Sequence, residues 1–495
     1  MKRIAIASIL LGAMACATPP TTPAPDAVPV AVTTTQVPAD EVFRATAPAP
    51  LEPRPYRFPR VERITLGNGL RVLVAENHSS PLASIRVVVR SGAEHDPLDR
   101  AGLASFTADM LDEGAGRMNA VQIAEAFGNL GTSVSAGSNW DRSVVNVDVL
   151  SSNLATAVAL VADVVRRPTF TQDDIERLRK QRLATILQRK DNASMIASER
   201  FAAVVYEGTA YGKPIIGLEP AVERISRDDL LEFYGRHYVP NNTSVIITGD
   251  ISTRETLNLV RGQFEEWEKG PIIRAIDVAP RQIATNRVYL VDRPQAVQSE
   301  IRVGAPGVER TSADFFPLLT MNTLLGGNFS SRINLNLRER HGYTYGARSE
   351  FAFRREPGPF MVSTPVRNEV TLPAVQEIFN ELRRIRTGEI TVEEMRNTKN
   401  YLIGVFPAMV ESPSDLTNRL QDMEVYGLPE NYFDHYRERI AAVTEADLQR
   451  VANKYLDPDR MAIVVVGKAE AIRAPLSELG YPIAVFDVEG RPLAR

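Results

Sequence analysis

Apolar residues along this chain come in short runs set off by turn signals. Ile64-Thr65-Leu66 and Leu70-Arg71-Val72-Leu73-Val74 flank Gly67-Asn68-Gly69, and an Asn-Gly pair between two such runs predicts a β-hairpin. Pro81 then introduces a strand over Ala83–Arg90. Farther on, the apolar spacing takes the helical period over Ala101–Leu111, Val121–Leu130, Ser152–Val165 and Asp173–Arg189. Strands alternating with helices of this length predict an α+β layered architecture.

The pattern also repeats. Ile225–Gly249 returns as Val443–Gly467 at a constant offset of 218, with Ser226/Thr444, Asp229/Asp447, Leu230/Leu448, Pro240/Pro458 and Gly249/Gly467 in correspondence. Each copy reads as a capped helix, a proline-containing turn and an apolar strand, Val245–Thr248 in one and Ile463–Val466 in the other. Ile85-Arg86-Val87 and Ile301-Arg302-Val303 recur at an offset of 216. Two homologous halves of roughly 215 residues are implied, residues 59–275 and 285–490, with the division near Gly270–Ala284.

The first sixty residues have a different character. Lys2 and Arg3, the apolar run Ile4–Leu11 and the small residues Gly12, Ala13 and Ala15 outline a signal peptide over residues 1–16. The run is too short to cross a bilayer as a helix, which takes about 20 residues, and no later stretch is long enough either. Cys16, the single cysteine, follows the lipobox-like Ala13-Met14-Ala15. This outlines a bacterial lipoprotein acylated at Cys16, with plain cleavage after Ala15 as the alternative. Residues 17–58 hold many prolines and no sustained period, as an extended, disordered tether would. The expected compartment is the periplasm, with membrane attachment only through the lipid.

Composition narrows the chemistry. With 495 residues and 44% hydrophobic content the chain can bury several cores. A net charge of −4 spread over both signs leaves no footprint for nucleic acid. One cysteine excludes an intrachain disulfide and a thiolate metal cluster. The five histidines are His78, His95, His237, His341 and His435. No two are spaced to share a helix face, so each reads as a surface or turn residue and no zinc cofactor is expected on this chain.

Three segments in order carry a resemblance: Thr65–Val72 with its Gly-Asn-Gly, Arg90-Ser91-Gly92-Ala93 after a strand, and Ala101-Gly102-Leu103-Ala104 opening a helix. Together they resemble the start of the insulinase/pitrilysin family of zinc peptidases, over about residues 59 to 470. The resemblance implies two homologous α/β sandwich-like halves of the LuxS/metallopeptidase type. It also implies an inverted zinc motif, H-x-x-E-H, on the helix after Gly-Leu-Ala, with a Glu ligand some 76 residues later. This chain has Ser105-Phe106-Thr107-Ala108-Asp109 there, and Thr185 at the counted third position. Ser105, Ala108, Asp109 and Thr185 therefore mark degenerate metal and base positions. Gly131–Asp141 is similar to the family's edge strand, which pairs with extended substrate.

The second half keeps what the first has lost. Asn322–Gly327 should end a helix, Ser330/Ser331 offers an N-cap, and Ile333–Arg340 should form a short helix before His341-Gly342. Leu337–Tyr345 resembles the family's Arg/Tyr motif, with Arg338 seven residues before Tyr345. A guanidinium offers forked donors to a peptide carbonyl, and a phenol can donate to a developing oxyanion. The resemblance implies a non-catalytic subunit of a heterodimeric periplasmic metallopeptidase, inactive alone, giving Arg338 and Tyr345 in trans to an H-x-x-E-H partner that holds the zinc. The alternative is a homodimeric peptide-binding or scaffold protein without peptidase activity.

Overall fold

The computed structural model describes residues 56–272, 280 and 282–493. The signal segment, Cys16 and the tether as far as residue 55 lie outside these. The first half supplies β1 (Glu62–Thr65), β2 (Arg71–Glu76), β3 (Leu82–Val89), a short hairpin of β4 (Gly114–Ala115) and β5 (Met118–Asn119), then β6 (Ser135–Ser138), β7 (Ser143–Leu150) and β8 (Thr243–Gly249). The second supplies β9 (Arg287–Asp292), β10 (Gln298–Pro306), β11 (Arg348–Phe351), β12 (Pro359–Arg367), β13 (Ala462–Gly467) and β14 (Ile483–Phe486).

Each half builds a six-stranded sheet, β1-β2-β8-β3-β7-β6 and β14-β9-β13-β10-β12-β11. The repeat extends to register. Arg71 lies opposite Ser244 where Arg287 lies opposite Ala462, and Leu82 opposite Leu150 where Gln298 lies opposite Arg367. The outer strands differ: β1 joins β2 antiparallel through the expected hairpin, whereas β14 joins β9 in parallel from the far end of the chain. The Asn-Gly turn is longer than a two-residue loop, with the Leu66 amide bonded to the Leu70 carbonyl. Buried Asn68 donates out of it to the carbonyls of Phe264 and Trp267 at 2.7 and 3.0 Å, tying the turn to the helix Thr253–Phe264.

Both copies of the helix–strand unit form as the spacing predicts. Ser226 with Asp229 and Thr444 with Asp447 make full capping boxes on the helices Arg227–His237 and Glu445–Tyr455. The strands that follow, β8 and β13, are buried at every residue. Their continuous apolar runs are those of strands covered on both faces.

The second cover comes from the other half. Helix Ala193–Val205, encoded in the first half, packs Ile196, Ala197 and Phe201 on Val464 and Val466 of β13. Helix Pro413–Tyr426, encoded in the second, lies on β3 and β8. The recurrent arginines hold both exchanged helices. Arg86 donates to Ser414 at 3.1 Å and to Asn418; Arg302 donates to Ser194 Oγ at 2.6 Å, Ser198 at 3.2 Å and the Ser194 carbonyl at 3.0 Å. Along β3, Ile85, Val87 and Val89 enter the first half's own core, while Ser84 and Arg86 meet the visiting helix. On β10, Gly304 lets Phe201 approach: a Cβ there would lie 2.9 Å from the Phe201 ring.

Candidate functional site

The helix expected to carry the metal positions runs from Leu103 to Asp109. Its start is satisfied by Asp96, whose buried carboxylate accepts from the Gly102 and Ala104 amides, each at 2.8 Å. Burial pushes Asp96 up to about 7, against these two bonds and the charge of Arg182. Gly102 has φ +99, and a Cβ on it would lie 2.8 Å from both Gly217 Cα and the Ile216 carbonyl oxygen. Only glycine lets the loop carrying Ile215 and Ile216 come so close.

Ser105 donates to the Ile215 carbonyl at 2.5 Å, and Ala108 is fully buried. Arg182, from helix Gln172–Arg189, is 6% exposed and closes the cluster. Its guanidinium donates to Ser105 Oγ at 2.9 Å and the Ile216 carbonyl at 2.8 Å, pairs with Asp109, and lies 4.9 Å from the centre of the Phe106 ring. Arg182 thus touches both residues that stand at the family's imidazole positions. A hydroxyl already committed to a carbonyl, an alanine methyl and a carboxylate neutralised by a guanidinium do not fit zinc, whose sites take three protein ligands with free lone pairs.

Thr185 stands apart from this cluster. It is exposed, and its hydroxyl donates back to the Gln181 carbonyl at 3.0 Å. The buried face of its helix is set by Ile175, Arg182 and Ile186, and Thr185 lies off that face. Two histidines depart from their reading as surface or turn residues. His95 and His237 are buried with ring centres 4.6 Å apart, and His237 Nδ1 lies 3.0 Å from Ser91 Oγ. Burial holds His237 down at about 3, hence neutral. Among the described residues, no three His, Cys, Asp or Glu side chains are placed to hold a metal together.

In the second half, helix Phe315–Asn322 continues into a π-turn over Thr323–Gly327, and Arg332–Asn334 runs into a second π-turn over Leu335–Arg340. π-Turns are rare and concentrate at functional sites. Ser331 has extended backbone at the cap position, but its hydroxyl makes no capping bond. The segment is anchored instead by Arg332, which forks onto Glu394 at 2.7 and 2.9 Å, and by Asn336, which donates to Glu377 and Glu381 at 2.9 and 2.7 Å. Arg338 lies over Phe329, 4.4 Å from the ring centre, with Nε 3.3 Å from Glu339.

The loop beyond is equally fixed. Thr344 Oγ1 accepts from the Gly346 amide at 3.1 Å, and Asn334 Oδ1 accepts from the Ala347 amide at 3.0 Å. Tyr345, between these pins, is 94% exposed. It stands on the rim of a 490 Å³ recess walled by Gly327, Asn328 and Phe329 and floored by Ser363 and Pro365 of β12. The same face of β12 continues through Met361 and Pro359 into a 620 Å³ cleft, and Ser194 of the exchanged helix lines both. The far wall of that cleft is Pro214–Ile216, the loop that takes the Ser105 and Arg182 donors. One trough therefore runs from the displayed tyrosine to the closed metal position. Its floor, Pro359 to Pro365, is roughly 20 Å long at the usual rise of a strand. β6 and β11 are the exposed ends of their sheets.

Residues 71–219 match the insulinase family of peptidases (M16), and residues 224–402 match the M16 inactive domain. An uncharacterized zinc protease of Streptomyces coelicolor is 25% identical, with 82% of this chain and 89% of that one aligned. A non-peptidase homologue of Helicobacter pylori, YmxG, is 23% identical over 73% of this chain and 83% of its own. The crystal structure of an M16 inactive domain from Pseudomonas fluorescens superposes with a TM-score of 0.77 at 26% identity, covering 82% of this chain and 98% of that one. With two half-repeats of the same mixed sheet and both family models matched in order, the chain belongs to the insulinase (M16) family.

Proposed function

We propose that this chain is the zinc-less subunit of a two-component periplasmic peptidase. It holds an extended peptide in the trough along β12 and presents Arg338 and Tyr345 to a separate H-x-x-E-H subunit, which carries the zinc and the base. The observation that carries this reading is the contrast in exposure: Arg182 fills the cluster at Ser105 and Asp109, while Tyr345 projects almost wholly into solvent from a pinned loop. A buried tyrosine would serve packing; one held rigid and bare is poised for a guest.

The roles follow from the side chains. Tyr345 donates its phenolic proton in a hydrogen bond to the oxyanion that develops on the scissile carbonyl. Arg338, steadied by Phe329, offers its remaining donors to peptide carbonyls. The sheet edge binds backbone, so selectivity for peptide sequence is low. A lipid on Cys16 would keep the complex at the membrane, and Cys16→Ser should release the chain to the soluble periplasm.

The test is reconstitution with the H-x-x-E-H subunit. Tyr345→Phe should lower turnover by about 10²–10³ with complex formation intact, the effect of losing one oxyanion donor. Arg338→Ala should also raise the Michaelis constant. Unchanged turnover in an assembled Tyr345→Phe complex would overturn the role in trans and favour a homodimeric peptide-binding scaffold.

A further inference from the structure

A second recess meets the trough's cleft at Tyr426, which lines both. It is a cleft of 820 Å³ between the hairpin β1–β2 and the end of helix Pro413–Tyr426, and Arg63, Arg71, Arg90, Arg355, Glu424 and Glu430 line it. Four guanidinium groups against two carboxylates leave an excess of positive charge. Three of the four make ion pairs inside the protein. Arg71 is 2.9 Å from Glu424, Arg63 is 3.9 Å from Glu430, and Arg355 pairs with Glu94.

Arg90 does not. One of its amino groups donates to the Asn241 carbonyl at 2.9 Å, and among the described residues no carboxylate lies within ion-pair distance of it. It is half-buried, which lowers its affinity for the proton, and the charges that act on it are Glu424, already paired with Arg71, and the cations Arg71 and Arg355. A guanidinium withdrawn from water beside two other cations, with the one carboxylate in reach already paired to Arg71, is stabilised by a further anion. The repeated architecture does not require this residue, because Pro306 ends β10 at the position that corresponds to Arg90 after β3.

We propose that this cleft binds a compact oxyanion, phosphate or a small polycarboxylate, with Arg90 as its principal contact and Arg71 and Arg63 as the flanking donors. Forked guanidinium donors match the geometry of both anions. Glu424 acts as the internal competitor: it occupies Arg71 and also accepts from Ser244 at 2.6 Å. β2 and Arg90 come from the first half while Glu424 and Glu430 come from the second, so the bound anion would bridge the two.

The experiment is calorimetric and thermal titration of the full mature chain with inorganic phosphate and, separately, with citrate, at ionic strength held constant with sodium chloride. Saturable binding of at least one anion is expected. Arg90→Gln should weaken it by about tenfold or more, the range for one charge-assisted contact, and Arg63→Gln should weaken it less. Glu424→Gln, which keeps an acceptor for Ser244 and frees Arg71, should tighten it. The stronger of the two anions identifies the source. Absence of saturable binding by both would overturn the proposal, as would equal affinity across folded Arg90→Gln and Glu424→Gln. Should Arg90→Gln fail to fold, the opposite signs expected of Arg63→Gln and Glu424→Gln decide the matter.

Discussion

The first and second halves carry the same sheet in the same register, yet they treat the helical segment at its flank in opposite ways. In the first, Ser105 and Asp109 are drawn onto Arg182, and the loop at Ile215–Ile216 is pressed against them through Gly102. In the second, the corresponding wall is loosened by two π-turns and pinned from behind, so that Tyr345 faces outward. A duplicated scaffold can therefore keep its strands while one copy ties its polar side chains to a buried arginine and the other displays them. The difference lies in where the polar groups find partners, since the backbone frame is common to both.

That contrast can be broken most directly at Arg182. Arg182→Ala leaves the half-exposed Asp109 without its cation and Ser105 without its donor, and losing a buried guanidinium with several charge-assisted bonds should cost about 3 kcal/mol. Urea unfolding measures it, and a loss below about 1 kcal/mol would mean that the cluster is not what closes the first half. The two recurrent arginines sharpen the comparison further. Arg302 is buried and engages Ser194, Ser198 and Glu300, so Arg302→Ala should cost about 2–3 kcal/mol. Arg86→Ala, with bonds to Ser414 and Asn418 only, should cost about 1–2 kcal/mol. Equal values would show that the halves grip their visiting helices alike.

A smaller effect concerns the anchor of the Arg338 segment. The hydrogen bond from Arg332 holds Glu394 down at about 2, well below the ordinary 4.5. A carboxyl depressed on folding stabilises the protein above its unfolded pKa, and that contribution is lost as pH falls from about 4.5 toward 2. Glu394→Gln should therefore lower the melting temperature at pH 7, with the gap to wild type closing below pH 3. Smallest of all, Tyr345→Phe should leave the melting temperature unchanged, because the phenol touches little.

The strands, the duplication and the capped helices were legible because they depend on short-range period and spacing, as at Ser226/Asp229 and Thr444/Asp447. The Ile-Arg-Val repeat was visible, but its purpose was not. Nothing local tells that Arg86 and Arg302 face helices encoded more than a hundred residues away. Thr185 was reached by counting, whereas a helix selects by face. The available signal was Arg182, a charged residue on the stripe that Ile175 and Ile186 make apolar. The pairing of His95 with His237 joins distant segments through the fold alone, so spacing along the chain could not find it.

The exchange of helices Ala193–Val205 and Pro413–Tyr426 has a consequence for the chain's continuity. Neither half owns the lid of its own sheet, so a fragment ending after Phe264 would expose the face of β3 and β8 while its own helix sought β13. A single cut between Phe264 and Arg287 should accordingly leave two pieces that remain clasped like links, co-migrating until denatured. Expressed apart, each should be insoluble, and mixed during refolding they should rescue one another.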